Sequence, residues 1–402
     1  MHTRNSIKLL VLAAAFAASA FLVRWMLARP AARDTKVVGM RGELEALLRR
    51  RADPSRAPDP RPGEPGFPPP LLREPLDEHL TGLFFPMSLE SGFRPDPVLF
   101  YGREPNLRTS LIDGEHPRGG YELVFNSRGL RNAAEPRVEP PDLRLLVAGA
   151  SNVEGVSTFE ETAVHLLENG LKERLPRRSV EALNAGVPGY SFYNDLGVLE
   201  RHRELAPDVF LLVAYGGNEF FAGVRLYRYF ERLGPPVPVR WIPELFEGPE
   251  NQSLRAFMGV EVGQARYLQV NPLDLDLAVT VACAATVEME RSCAAQNARF
   301  LCAYLPPPLQ GQPEFHAEDR VRVLARLELT SEDLAVSDRI ADAWLGFLRA
   351  RRIAHLDLRP AIRAARESLY WSGNGHLNLA GQRLLAETLL PFVLEHLPSN
   401  KR

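Results

Sequence analysis

Cysteine is scarce in this chain, and its few cysteines are spaced irregularly. Cys283, Cys293 and Cys302 are too few for a disulfide framework. None of them belongs to a Cys-x-x-Cys pair or to a histidine-rich segment of the kind that binds zinc. Cys283 and Cys293 would lie on one predicted helix at a spacing that does not place them on the same face. We therefore expect buried free thiols, with no metal and no other cofactor.

The chain also lacks a strong net charge and a phosphate-binding loop. Its 48 basic and 50 acidic residues give a net charge of -2. No basic helix is interleaved with aromatic side chains, and no glycine-rich loop has the pattern that binds phosphates. These absences give no reason to expect nucleic acid as a partner. With 402 residues, 45% of them apolar, the chain is long enough for one sizeable globular domain with additions.

An apolar run of fifteen residues, 9–23, follows Arg4 and Lys8 near the amino terminus. As a helix it would be about 22 Å long, compared with roughly 30 Å for a bilayer core, and its flanking residues could extend it to a full span. Ala18-Ser19-Ala20 offers the small-residue site of a cleaved signal peptide as an alternative. Residues 1–30 are therefore predicted to be a signal anchor, with the catalytic domain in the periplasm or extracytoplasmic space, or a signal peptide of a secreted protein.

The segment after this run is rich in proline and arginine. Eight prolines lie within residues 53–70, and residues 40–52 could form a short arginine-rich helix. Such a composition predicts an extended, semi-rigid linker over residues 31–70. Residues 71–140 contain several aromatic side chains and are predicted to form an accessory subdomain packed against the domain that follows.

From residue 141 onward, apolar strand-like runs alternate with helix-like stretches. Strands are predicted at 143–148, 180–183, 209–215, 299–305 and 354–358, and helices at 160–175, 192–205, 275–297, 331–351 and 379–397. This alternation predicts a three-layer α/β/α domain with a flavodoxin-like parallel sheet over residues 141–400. Residues 219–275 form a predicted insertion, either a cap that shapes the substrate pocket or an excursion with its own small core.

Ser151 stands at the end of the first predicted strand, in a small-residue turn before a helix. Most serines in such a position only cap the helix. A serine attacks an ester carbonyl when a histidine removes its proton, and the negative oxygen that forms must be met by hydrogen-bond donors. His376 is the candidate base. The candidate oxyanion donors are the backbone N–H groups of Ser151 and Gly189 and the side-chain amide of Asn218.

Four segments resemble, in order, spacing and position at strand ends, the four blocks of the SGNH hydrolase family, also called GDSL esterases and lipases. They are residues 145–155, 184–190, 215–219 and 372–378. The resemblance extends over residues 140–398. Upstream, the sequence Val-Phe-Asn-Ser-Arg-Gly-Leu-Arg at residues 124–131 is similar to a stretch in bacterial, membrane-associated members. The resemblance implies an α/β/α fold and ester hydrolysis through an acyl-serine intermediate.

The sequence departs from the family pattern in two respects. Ala150 stands where the family usually has aspartate before the serine. Asn374 and Gly373 stand where the family has the aspartate of its catalytic triad. An asparagine can orient the imidazole of His376, but it cannot stabilise the imidazolium by a full charge. Asn374 is therefore predicted to be the third member of a weakened triad, unless another carboxylate supplies the charge. The nearest candidates in sequence are Glu154, Glu219 and Glu367.

The predicted function is that of a membrane-tethered, extracytoplasmic ester hydrolase. Its expected partners are an acylated small molecule or glycan as substrate, and the membrane through the N-terminal segment. The glycan is suggested only by analogy with the family. Two alternatives are an acyltransferase on envelope glycans, which would share the acyl-serine intermediate, and a catalytically weakened relative that uses the pocket for binding.

Overall fold

The computed structural model describes residues 39–56, 59–61, 63–239 and 261–398. The part before the central sheet consists of two helices, a short 3-10 helix and two antiparallel strand pairs. These elements are α1 (39–51), α2 (Glu78–Phe84), the 3-10 helix Pro86–Leu89, β1 (Phe93–Asp96) paired with β2 (Phe100–Arg103), and β3 (Arg108–Ile112) paired with β4 (Gly120–Val124).

The remainder of the described chain forms a five-stranded sheet with helices on both sides. The strands are β5 (Leu143–Gly149), β6 (Val180–Asn184), β7 (Val209–Tyr215), β8 (Arg299–Leu305) and β9 (His355–Asp357). The helices are α3 (Ser151–Glu154), α4 (Ala163–Arg174), α5 (Phe192–Arg201), α6 (Glu219–Phe230), α7 (Gly263–Val270), α8 (Asp274–Ala295), α9 (Pro308–Gly311), α10 (Ala317–Leu327), α11 (Ser331–Leu334), α12 (Val336–Arg351), α13 (Arg359–Ala364) and α14 (Leu379–Glu395). The 3-10 helix Phe159–Glu161 precedes α4, and Arg203–Leu205 follows α5.

All neighbouring strands of this sheet are parallel, in the order β6-β5-β7-β8-β9. This is the flavodoxin-like order, and the predicted three-layer α/β/α fold is confirmed. In such sheets the crossover connections reverse direction beside the first strand, and ligands bind at the carboxyl edge at that point. Here the reversal point lies where β5, β6 and β7 end.

Both faces of the sheet are buried, because side chains alternate between them along each strand. In β7, Val209 and Leu211 pack in a cluster with apolar residues of α4 and α14. Phe210 and Leu212 pack on the other face, with residues of α5, α6, α8 and α12. Burial on two faces explains why the strand is a continuous apolar run in the sequence.

The part before β5 is packed onto the sheet domain through buried charges. The Arg103 guanidinium donates two hydrogen bonds, of 2.8 and 2.7 Å, to the buried Glu154 carboxylate on α3. The buried Arg131 guanidinium donates to the carbonyl oxygens of Glu122 and Ser157. Breaking a buried ion pair by removing one partner commonly costs about 3–5 kcal/mol. These contacts fix the two strand pairs next to the helix that begins with Ser151.

The proline-rich segment also contacts the sheet domain where the structure describes it. The Arg51 guanidinium donates to the Tyr229 hydroxyl at 2.9 Å, and its charge lies 4.1 Å from the centre of that ring. The Tyr227 hydroxyl donates to the Asp59 carboxylate at 2.7 Å. The C-terminal end of α6 is therefore tied to the start of the chain that the structure describes.

The prediction of a membrane-anchored protein is corrected by the structure. Over the part of the chain that the structure describes, no helix combines the length and the apolar character needed to cross a bilayer. The apolar run at residues 9–23, on which the predicted signal anchor or signal peptide depends, lies outside the described residues.

The three cysteines are buried free thiols, as their number and spacing predict. Cys283 and Cys293 lie on α8, and Cys302 lies on β8. Burial raises the pKa of all three thiols, to about 12 for Cys293. The thiols are therefore protonated at neutral pH and belong to the apolar core. Among the described residues, no group of three His, Cys, Asp or Glu side chains is placed to hold a metal ion.

Candidate active site

The turn after β5 places Ser151 at the carboxyl edge of the sheet. Gly149 has a φ of +150°, and a Cβ at this position would lie 2.6 Å from the Val213 carbonyl oxygen, so the turn requires glycine. Ser151 is the first residue of α3, where backbone N–H groups have no acceptor within the helix. The side chain is only partly buried. The local sequence therefore presents the hydroxyl beside free backbone donors.

His376 lies in the loop between α13 and α14, with its ring nitrogen Nε2 2.8 Å from Ser151 Oγ. The loop is fixed against the serine turn by Asn152. The side-chain oxygen of Asn152 accepts the Leu377 N–H at 2.8 Å, and its carbonyl oxygen accepts the Gln382 side-chain amide at 3.0 Å. Two segments 225 residues apart in sequence are thus held within hydrogen-bond distance.

Asn374 contacts the other nitrogen of the same ring. Its Oδ1 lies 3.1 Å from His376 Nδ1 and also accepts the His376 backbone N–H at 3.0 Å. Because an amide oxygen only accepts hydrogen bonds, Nδ1 carries the ring proton. Nε2 is then unprotonated and faces the Ser151 hydroxyl, which is the tautomer that a general base needs.

No carboxylate contacts the His376 ring within the described residues. Burial lowers the pKa of His376 to about 4, and a hydrogen bond with the backbone of Asn374 offsets only part of this effect. The imidazole is therefore neutral at pH 7. A base with a pKa this far below the working pH has little driving force for taking a proton.

The three glutamates predicted as alternative sources of charge do not reach the imidazole. Glu154 pairs with Arg103, and Glu219 is buried and hydrogen-bonded to the backbone of the serine turn. Within the described part of the chain, no hydrogen bond or ion pair joins their carboxylates, or that of Glu367, to His376.

Glu115, in the turn between β3 and β4, supports the loop just before Asn374. Its carboxylate accepts the Gly373 N–H at 3.0 Å and also the Ser372 hydroxyl. The contact joins residues 257 positions apart. No local pattern in the sequence signals a contact of this kind, and sequence reasoning missed it.

The candidate oxyanion donors surround the reversal point of the sheet. Gly189 follows β6 with a φ of +78°, and a Cβ there would lie 2.9 Å from the Tyr101 hydroxyl. That hydroxyl donates to the Pro188 carbonyl oxygen at 2.5 Å and fixes the loop. Asn218 is the N-cap residue of α6, three residues after the end of β7, and its side chain makes no capping hydrogen bond. Within the described residues, the backbone N–H groups of Ser151 and Gly189 have no hydrogen-bond acceptor.

A pocket of about 220 Å³ opens beside Gly189 and Asn218. Most of its wall is apolar and comes from two distant parts of the chain, α2 with the residues after it and the first half of α6. The apolar lining residues are Phe84, Phe85, Pro86, Met87, Tyr101, Phe221 and Ala222. Arg225 also lines the pocket, and in the described part of the chain it is the one charged side chain that does so.

The predicted insertion at residues 219–275 contributes to both the core and this pocket. On α6, Phe220 and Tyr227 are fully buried in the core, whereas Phe221 lines the pocket. Trp241, with the rest of residues 240–260, lies outside the described residues. One side of α6 therefore packs in the core, and another side lines the pocket.

Solved structures that resemble the chain include several hydrolases, all at low sequence identity. No protein-family model and no curated protein matches the chain. The similar structures include an α/β hydrolase enzyme from the metagenome of Lake Arreo, Spain, at 15% identity, with 64% of this chain and 97% of that chain covered and a TM-score of 0.37. They also include an acetyl xylan esterase at 16% identity, covering 62% of this chain and 100% of that chain with a TM-score of 0.37. A third is a GDSL-like lipase from Bacteroides thetaiotaomicron at 13% identity, covering 65% and 93% with a TM-score of 0.32. The strand order of the chain itself agrees with the three-layer α/β/α fold that the resemblance implies.

Proposed function

We propose that this chain is an ester hydrolase in which Ser151 is the nucleophile and His376 the general base. The observation that carries the proposal is the 2.8 Å distance between His376 Nε2 and Ser151 Oγ. A nucleophile and base within hydrogen-bond reach, with the base oriented by a third group, is the arrangement that activates a serine. Asn374 is the orienting group.

The proposed reaction begins when His376 Nε2 takes the hydroxyl proton as Ser151 Oγ attacks the ester carbonyl carbon. The negative oxygen of the tetrahedral intermediate accepts hydrogen bonds from the Ser151 and Gly189 N–H groups and the Asn218 amide. Collapse of the intermediate breaks the ester bond and passes the proton from the imidazolium to the leaving alcohol. Water, activated by the same imidazole, then hydrolyses the acyl-serine.

A second candidate function is binding of an ester or acylated ligand with little turnover. The observation that favours it is Asn374 in place of a carboxylate, together with the burial that lowers the pKa of His376 to about 4. In a serine protease, replacing the triad aspartate with asparagine lowers turnover by about ten-thousandfold. Acyl transfer and a glycan substrate stay predictions from the family resemblance.

Labelling with a fluorophosphonate tests the proposal, because this reagent reacts only with an activated serine. We expect a single labelled site at Ser151, which mass spectrometry of the digested protein would locate. Labelling should disappear in Ser151→Ala and slow by at least about a hundredfold in His376→Ala, because the unassisted hydroxyl is a poor nucleophile.

The matched control is Ser292→Ala, a substitution on α8 outside the site that should label like the wild type. Circular dichroism would establish that each variant is folded. A folded wild-type protein that never labels, or labelling that survives in Ser151→Ala, would rule out the proposed nucleophile and leave the binding function.

A further inference from the structure

Arg225 on α6 and Asn218, the N-cap residue seven positions before it, line the same pocket. At 1.5 Å per residue the two positions are about 10 Å apart along the axis. Side chains on a helix lean toward its N-terminus. The Arg225 guanidinium accordingly lies over the Phe221 ring, 5.0 Å from its centre. The guanidinium is therefore about one helical turn from Asn218, the candidate oxyanion donor, and lies in the same pocket.

Within the described residues no hydrogen bond or ion pair joins the Arg225 guanidinium to a carboxylate, and its ring contact is with Phe221. Glu45, which is itself paired with Arg41, and Tyr267 attract the guanidinium only through longer-range electrostatics. Arg228, one turn further along α6, donates to the Asp274 carboxylate instead. Burial lowers the pKa of Arg225, and the nearby Arg41 lowers it further, yet an arginine stays charged at neutral pH. The pocket thus contains a positive charge that, within the described residues, no carboxylate contacts directly.

The surroundings of this charge match a particular kind of ligand. The wall between Gly189 and Arg225 is made mainly of aromatic and aliphatic side chains. Such a wall favours methylene groups, whereas a guanidinium favours a carboxylate, to which it can donate two parallel hydrogen bonds. A molecule that fits both the apolar wall and the guanidinium has an apolar middle section and an anionic group at the end that lies beside Arg225.

We infer that Arg225 binds an anionic group of the substrate, and that the preferred substrate is an ester whose acyl chain ends in a carboxylate. The inference rests on the proposed function, because it places the ester carbonyl at the donors of Ser151, Gly189 and Asn218. The acyl chain then follows the apolar wall, and its terminal carboxylate accepts hydrogen bonds from the Arg225 guanidinium. An acyl chain with four methylene groups spans about one helical turn.

Two esters of equal chain length test the inference. They are the mono-4-nitrophenyl ester of adipic acid, which ends in a carboxylate, and 4-nitrophenyl hexanoate, which ends in a methyl group. The measured quantity is the ratio of their kcat/KM values, after subtraction of spontaneous hydrolysis. Arg225→Gln should lower this ratio at least about tenfold, the smaller end of the range for a hydrogen bond between charged groups.

Arg225→Lys retains a positive charge and should keep more of the preference than Arg225→Gln. Arg291→Gln makes the same chemical change at a solvent-exposed position on α8 and should leave the ratio as in the wild type. Thermal unfolding of each variant would exclude loss of the fold as the cause of a lower ratio.

A binding measurement separates this inference from the proposed hydrolysis. Calorimetry on the Ser151→Ala protein compares monomethyl adipate with methyl hexanoate, and neither needs turnover to bind. Tighter binding of the adipate ester that is lost when Arg225→Gln is added would support the inference even if no ester is ever hydrolysed. Equal affinities in both proteins, with an unchanged kcat/KM ratio, would overturn it while leaving Ser151 labelling intact.

Discussion

Replacing Asn374 with aspartate is expected to raise kcat/KM for a short nitrophenyl ester by about a hundredfold or more. The Oδ1 atom of this side chain already lies 3.1 Å from His376 Nδ1, so a carboxylate would place a full charge there with little rearrangement. In a serine protease the opposite change lowers turnover about ten-thousandfold, partly through the wrong tautomer. Here the His376 backbone N–H already orients Oδ1 toward the ring. The tautomer is therefore correct, and only the missing charge is restored.

The pH dependence of kcat/KM provides a second test of the Asn374→Asp substitution. Since burial lowers the pKa of His376 to about 4, kcat/KM of the wild type should rise with pH through about 4 and be level from pH 6 upward. A carboxylate in place of Asn374 stabilises the imidazolium and raises this pKa. The acid limb of the profile should then move to higher pH.

Kinetics between pH 4 and 9 would test both expectations. Asn297→Asp is the matched control, because it makes the same amide-to-carboxylate change at an exposed position just before β8, at the opposite edge of the sheet. Its rate and profile should follow the wild type. An Asn374→Asp protein with the wild-type rate and profile would mean that Asn374 does not limit the base.

The sheet and the residues at its edge could be predicted because parallel strands buried on both faces leave continuous apolar runs. The strands Val209–Tyr215 and Arg299–Leu305 have the predicted bounds. Helix boundaries were less accurate where local caps intervene. The helix predicted at 331–351 is two helices that meet at Ala335. The one predicted at 160–175 begins as a 3-10 turn, because Thr158 and Thr162 each cap a separate helix.

Which residues surround the four motif segments in the folded protein depends on contacts between distant parts of the chain. Helix α10 was not predicted, although its two buried apolar side chains, Val323 and Leu327, lie four residues apart and so follow the period of a helix. The aromatic residues after residue 80 and those of α6 are far apart in sequence, and nothing in either segment indicates that they share one pocket. That no carboxylate of the described residues forms an ion pair with Arg225 is likewise a property of the folded chain alone.

Replacing Glu219 with glutamine is expected to stabilise the protein by an amount that grows as the pH rises. Glu219 is fully buried, and one of its carboxylate oxygens accepts the Ala150 N–H at 2.9 Å. Within the described residues its other oxygen has no hydrogen-bond partner. Burial raises the pKa of Glu219 well above its usual range, and the buried carboxylate of Asp195 raises it further.

The direction of this pH dependence follows from the difference between the pKa of Glu219 in the folded protein and in the unfolded chain. In the unfolded chain the Glu219 carboxyl has a pKa of about 4.5, whereas the folded protein holds the proton to a higher pH. The stability that this proton contributes is fully present below about pH 4.5 and falls as the pH rises toward the folded-state pKa. The fall is at most about 1.4 kcal/mol per pH unit for one proton. Glutamine has no proton to lose, and its oxygen can still accept the Ala150 N–H.

Urea unfolding of both proteins at pH 5, 6, 7 and 8 would measure the difference in free energy of unfolding. We expect near equality at pH 5 and an advantage of about 1–3 kcal/mol for Glu219→Gln at pH 7. Glu387→Gln, at an exposed position on α14, makes the same chemical change and should show no such trend. A difference that does not vary with pH would mean that Glu219 is already ionised in the folded protein. A growing difference would instead establish that the carboxyl of Glu219, which contacts the serine turn, is protonated in the folded protein, so that Glu219 does not supply the charge that Asn374 lacks.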